Sequence, residues 1–197
     1  MTCIIGIAQG GRVWMGADTY MGSMDLVYRA ESKLFRAGNF LIGGAGGWRY
    51  CQLLAYALKL SPPKKGRDIR HYMATDFARA IRAAVSEYGC MEKDEDGSDS
   101  VGSRALIGAG GCLFNFDGVL SHIPIEDGFA AIGSGAHVAM GSLYETQNSD
   151  LKPGERLSRA LEAAEALTDG VRRPFTYEHL EPYAKVQAKA AKRTLRR

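Results

Sequence analysis

The sequence predicts an α+β fold of four layers: helix, sheet, sheet, helix. Apolar strands come in two groups, and each group is followed by two amphipathic helices. Tight Gly-Gly and Asp-Gly turns join neighbouring strands, which fits antiparallel hairpins and excludes a doubly wound parallel sheet. Several strands are apolar on both faces, so each sheet is expected to be covered on both sides.

The first hairpin is read over residues 2–8 and 12–18, turning at Gly10-Gly11. Leu34-Phe35 and Phe40-Leu41-Ile42 follow, joined at Ala37-Gly38-Asn39, and the small-residue run Gly43–Gly47 then breaks the strand pattern. Residues 48–60 read as a helix stopped by Pro62-Pro63. The second helix carries Ile69, Met73, Phe77, Ile81 and Val85 every four residues, with Gly89 placed as its C-terminal cap. The acidic, Gly/Ser-rich stretch 90–103 reads as a surface loop. Strands return at 104–109, 112–116, 119–124 and 128–133, with a turn at Asp117-Gly118. Two helices close the pattern, one with Ala136, Ala139, Met140 and Leu143 on a face, the other with Leu157, Ala160, Leu161 and Ala164. Residues 183–195 are read as a helix with a basic face, part of a tail over 181–197 outside a single domain at 1–180.

The totals exclude several classes. With 197 residues the chain fits one domain. It has no apolar run of about 18 residues, so no membrane span, and no basic-then-apolar start of a signal peptide. A net charge of +3 is too small to argue for nucleic acid. The four cysteines are scattered, without zinc-ligand spacing, and read as reduced thiols of a cytoplasmic protein. No cofactor is expected: the glycines at 43–47 lack the Lys-Ser/Thr of a phosphate-cradling loop.

Thr2 follows Met1 directly. Removing Met1 would leave a hydroxyl nucleophile and a free α-amine on one residue, and an amine with a pKa near ~8 can serve as the base. Taken alone, Lys33 reads as a surface lysine and Asp18 as a strand-end carboxylate making turn hydrogen bonds. Gly43-Gly44-Ala45-Gly46-Gly47 has more small residues than a turn requires. Ser134, between Gly133 and Gly135, reads as an N-cap for the helix near Ala136.

Five pieces in order change the balance. They are Thr2, Gly16-Ala17-Asp18, Ser32-Lys33-Leu34, Gly43–Gly47 and Ala131-Ile132-Gly133-Ser134-Gly135. Together, over roughly residues 2–180, they resemble the proteasome β-subunit family, most of all its HslV-type bacterial peptidases. The resemblance implies an N-terminal nucleophile hydrolase fold and a threonine peptidase. It implies Thr2 as nucleophile and Lys33 as the cation beside it. Asp18 would orient Lys33, Gly46 (or Gly47 in the alternative register) would donate to the oxyanion, and Ser134 would lie near the terminal amine. It also implies a homo-oligomeric ring, six- or seven-fold, that takes polypeptide substrate and is often fed by an ATPase unfoldase. Where the family often has Ala-Asp, this chain has Trp48-Arg49-Tyr50, and Trp48 is expected to narrow the substrate pocket. For the supporting acidic residue or monovalent-ion loop that the family often has after the last core helix, Asp169 is the nearest candidate, and no role is assigned to it. Two other readings keep the fold: an amidohydrolase of small amides, and an inactive ring scaffold that retains Met1.

Overall fold

The computed structural model describes residues 1–23, 26–29, 32–63, 66–93 and 97–182. Two antiparallel sheets stack face to face. The first has the order β12-β1-β2-β13, from β1 (Ile4–Gln9), β2 (Arg12–Asp18), β12 (Phe129–Ile132) and β13 (Phe175–Leu180). The second has the order β11-β10-β9-β6-β5, from β5 (Leu34–Ala37), β6 (Phe40–Ala45), β9 (Arg104–Ala109), β10 (Cys112–Phe116) and β11 (His122–Ile125). Two-stranded ladders, β3 (Tyr20–Ser23) with β4 (Leu26–Arg29) and β7 (Glu92–Lys93) with β8 (Asp99–Ser100), lie outside the sheets.

The period of two along each strand sorts side chains into three apolar layers. Between the sheets lie Ile4, Val13, Met15 and Ala17 from the first, meeting Leu34, Leu41, Leu106 and Leu113 from the second. The alternate residues Ile5 and Ile7 pack against α4 (Ala136–Glu145) and α5 (Pro153–Leu167). Phe40, Ile42, Ala105 and Ile107 face α1 (Trp48–Tyr56) and the long helical run after it. The predicted four-layer sandwich is the observed fold.

That helical run is α2 (Ile69–Tyr72), a π-helical turn over Met73–Phe77 and α3 (Ala78–Glu87). In a regular α-helix a four-residue spacing drifts by about 40° per step. The wider turn absorbs an extra residue, with the Ala78 N–H donating to the Met73 carbonyl five residues back. Met73, Phe77, Ile81 and Val85 therefore all stay fully buried on one face.

Several details differ from the sequence reading. β6 runs through Gly43 and Gly44 to Ala45, so those glycines belong to the strand. Gly43 faces the middle layer, where a Cβ would lie 2.6 Å from Ile4 Cγ2, so close sheet packing explains the residue. α1 ends at Tyr56, well before the prolines. The turn after β10 is longer than a two-residue hairpin, because Asp117 Oδ1 accepts from both Val119 N (3.1 Å) and Ser121 N (2.8 Å) and delays β11 to His122. The ladder β3-β4 and the edge strand β13 have no counterpart in the reading, and both strands of β7-β8 fall within the loop expected at 90–103. The helix expected at 183–195 lies outside the described residues.

Phe77 is fully buried, with ring centroids 5.1 Å from Phe40 and 5.5 Å from Phe116. Phe77→Ala is expected to lower stability by about 3–5 kcal/mol, read from the denaturant midpoint.

Candidate active site

Ladder register assembles the site. β1 pairs antiparallel with β12 as Ile4↔Ile132, so continuing the ladder sets Thr2 opposite Ser134. β1 pairs with β2 as Ile4↔Ala17, which sets Cys3 opposite Asp18. In the other sheet β6 pairs with β9 as Ala45↔Arg104, which sets Gly46 opposite Ser103. Lys33 immediately precedes β5 and reaches across from that second sheet to the first.

Asp18 and Lys33 are 0% and 3% exposed. Lys33 Nζ donates to Asp18 Oδ1 at 3.0 Å and Oδ2 at 2.9 Å, and to Thr2 Oγ1 at 3.1 Å. The carboxylate is held in turn by the Cys3 N–H (2.7 Å) and the Tyr20 N–H (3.0 Å). Burial lowers the Lys33 pKa below its ordinary 10.5, and the Asp18 carboxylate opposes that shift. A buried ammonium with both carboxylate oxygens in reach keeps its position beside the Thr2 hydroxyl.

Thr2 itself is tied down at both ends. Its N–H donates to Ser134 Oγ at 3.1 Å, and its carbonyl accepts from the Gly135 N–H at 3.2 Å. Its hydroxyl donates to the Met1 carbonyl at 2.6 Å, and that oxygen also accepts from Lys33 Nζ at 3.1 Å. With Met1 attached, the Thr2 nitrogen is an amide whose lone pair is delocalised, so it is no base. Gly133 has φ +96°, and a Cβ there would lie 2.2 Å from the Thr2 carbonyl oxygen. Only glycine lets this strand end approach so closely. Ser134 does not cap α4: the N-cap position is Gly135, and Ser134 Oγ turns to Thr2.

Gly46 has φ +122°, and a Cβ there would lie 2.9 Å from Ser103 Cα. Ser103 is 4% exposed, and its hydroxyl accepts from the Gly47 N–H at 3.0 Å. The Gly47 donor is thus engaged inside the protein, which favours Gly46 over the alternative register for an outward-facing N–H. Thr2, Ala45, Gly46, Ser103 and Ser134 line one open cleft. The structure therefore brings Thr2, Asp18, Lys33 and Ser134 into one hydrogen-bonded cluster and sets Gly46 on the wall beside it. Ser103 went unnoticed because it sits at the end of a stretch whose composition signals only a loop. Cys3, next to the nucleophile candidate, is no rival, since burial and then Asp18 push its thiol up to about 12.

Two other residues fall elsewhere. Trp48 opens α1, is 42% exposed and does not line the cleft. Asp169 lines a different pocket with Glu165 and Arg172. Around that turn Arg172 Nη1 donates to the carbonyls of Val171 (2.8 Å), Thr168 (3.1 Å) and Glu165 (3.5 Å), so a guanidinium occupies the point where three backbone oxygens converge. Among the described residues no three His, Cys, Asp or Glu side chains gather to hold a metal, and no helix is long and apolar enough to cross a membrane.

No protein-family model matches the sequence, and the search of curated proteins gives no match. Solved structures do match. BPH of Thiobacillus denitrificans, also solved in complex with epoxomicin, is 19% identical, with a TM-score of 0.76 over 91% of this chain and 98% of its own. Eukaryotic HslV from Trypanosoma brucei is 19% identical, with a TM-score of 0.65 over 91% and 99%. A Gly-1 mutant of Anbu from Hyphomicrobium sp. strain MC1 is 15% identical, with a TM-score of 0.65 over 100% and 95%.

Breaking the buried pair tests its part in stability. Asp18→Asn is expected to cost about 3–5 kcal/mol by stranding the Lys33 charge, and adding Lys33→Met to recover at least half of that loss in chemical denaturation. The likeness to BPH and HslV is one of fold: the chain has a proteasome-like peptidase fold, the N-terminal nucleophile hydrolase sandwich that its motifs resemble.

Proposed function

We propose that the chain is a threonine-type endopeptidase of a proteasome-like ring, with Thr2 as nucleophile after removal of Met1. One observation carries the reading: Lys33 Nζ, 3% exposed, lies 3.1 Å from Thr2 Oγ1 and within 3.0 Å of both Asp18 oxygens. A lysine buried in this way for stability alone is costly, whereas an ammonium beside a hydroxyl is what alkoxide formation needs.

Removal of Met1 converts the Thr2 amide nitrogen into an amine with a free lone pair. That amine takes the proton of Oγ as Oγ attacks the substrate carbonyl carbon. Lys33 favours the neutral amine and stabilises charge developing on Oγ, while Asp18 holds Lys33 protonated and oriented. The carbonyl oxygen becomes an oxyanion directed at the Gly46 N–H. As the C–N bond breaks, the proton passes from the ammonium to the leaving amine. Water, deprotonated by the same amine, then hydrolyses the Thr2 ester and restores the hydroxyl. Ser134 keeps the Thr2 nitrogen in place throughout.

Confining such a nucleophile within a homo-oligomeric ring would restrict it to threaded polypeptide, with an ATPase unfoldase as the partner class. Both rest on the resemblance and on the HslV-like fold. Light scattering at micromolar concentration should give a mass many times that of one chain, and a monomer would remove the ring from the proposal.

Thr2→Ala is expected to lower peptide cleavage by at least about 10³-fold while leaving the fold intact by circular dichroism. Wild-type turnover in that variant contradicts the mechanism. An intact mass that still includes Met1, with no cleavage, supports the inactive scaffold instead.

Activity requires charged Lys33, whose pKa is lowered. The sign follows: raising pH removes that charge before the ordinary lysine value is reached. The alkaline limb of kcat/KM should therefore fall below pH 10.5, the unshifted value, and a profile level through that pH contradicts the assigned role.

A further inference from the structure

The chemistry above leaves one charge in the cleft unused. Arg104 opens β9 and pairs with Ala45 at the end of β6. Its neighbour in the period of two, Leu106, faces the layer between the sheets, so Arg104 stands on the same face at the open end of that layer, where Thr2 lies. It is exposed, and no ion pair joins it to a carboxylate of the described residues. Apart from the chain's own α-amine, on Met1 or on Thr2 once Met1 is removed, the walls around it carry no other charged group: Thr2, Ala45, Gly46, Ser103, Gly133 and Ser134 among them. Beneath them Lys33 is matched by Asp18. The cleft that holds the attacking hydroxyl therefore also presents one unmatched guanidinium.

We propose that Arg104 is a specificity-determining residue that selects substrates bearing a carboxylate close to the bond cleaved. A guanidinium offers forked donors that suit the two oxygens of a carboxylate, and it stays charged at every working pH. In an open cleft whose lining holds no competing carboxylate, such a pair adds the modest affinity of a well-placed exposed ion pair. An acidic side chain in a polypeptide and the free terminal carboxylate of a short acyl-amino acid share this chemistry. The inference rests on the peptidase reading for the position of the bond, but its binding test does not depend on turnover.

The full chain with Met1 removed would be given fluorogenic peptides with blocked ends. Glu would be compared with Gln at the two positions on each side of the cleaved bond. A second pair would end one residue after the bond, as free acid or as carboxamide. At one position, or in the free-acid pair, the carboxylate form should have a kcat/KM on the order of five- to tenfold higher, carried by KM. Arg104→Gln should abolish the preference, Arg104→Lys keep part of it, and Arg104→Glu reverse it. The preference should also shrink with added salt. A Glu preference with no free-acid preference assigns acidic polypeptides, and the converse assigns small acyl-amino acids.

The same peptides binding to Thr2→Ala, followed by fluorescence anisotropy, separate this proposal from the peptidase reading. Tighter binding of the carboxylate form that depends on Arg104, with no cleavage by the wild type, sustains Arg104 and removes the peptidase. Equal cleavage of acid and neutral forms at every position, or a preference that survives Arg104→Gln, overturns the role of Arg104 and leaves the peptidase standing. The absence of both cleavage and binding preference overturns both.

Discussion

An ammonium sealed between two sheets sets the terms for this structure. Lys33 is almost without solvent, and Asp18 beneath it has none. Removing two charges from water costs several kcal/mol per ion, recovered only by close pairing and full hydrogen bonding. Here both conditions hold. Lys33 reaches both oxygens of Asp18, and two backbone N–H groups from Cys3 and Tyr20 complete the carboxylate. The third direction of the ammonium is shared by the Thr2 hydroxyl and, while Met1 is attached, the Met1 carbonyl. The pair thus links stability to chemistry: the sheets must close to bury it, and once closed they leave one donor for the nucleophile.

Backbone register delivers the groups to that point. Three antiparallel ladders each run a residue or two past their last pairing and bring Thr2 to Ser134, Cys3 to Asp18 and Gly46 to Ser103. Because side chains alternate along a strand, a slip of one residue would turn Asp18 away from Lys33 and disperse the site. The apolar sorting of Ile4, Val13 and Met15 into the middle layer, and of Ile5 and Ile7 towards α4 and α5, fixes that register. Core packing and site geometry therefore follow from one pattern.

Much of this was legible in the sequence because it rests on local rules. The period of two in β1 and β2, the turn at Gly10-Gly11 and the four-residue spacing from Ile69 to Val85 all carry their structure in neighbouring residues. Where reading failed, the cause was non-local. β13 is a mixed polar strand that gains its identity only by pairing with β2. Gly43 and Gly44 read as a break, yet they are strand residues whose small size admits close packing, Gly43 against Ile4 of the opposite sheet and Gly44 against Cys51 of α1. Ser103 could not be singled out, since its meaning lies in Gly46 and Gly47, far away in sequence. The charged cluster was named through family resemblance. Nothing in local pattern distinguishes Lys33 from a surface lysine, and its burial arises only when two sheets meet.

The central claim is that an amine and a hydroxyl on Thr2, with Lys33 beside them, form a covalent acyl intermediate. Brief reaction of the Met1-free protein with an acylating peptide ester, followed by mass mapping of the N-terminal fragment, tests this directly. The account predicts one acyl group on the Thr2 oxygen, formed far more slowly in Lys33→Ala. An acyl group on another residue, or one formed on Thr2 equally fast without Lys33, would contradict it.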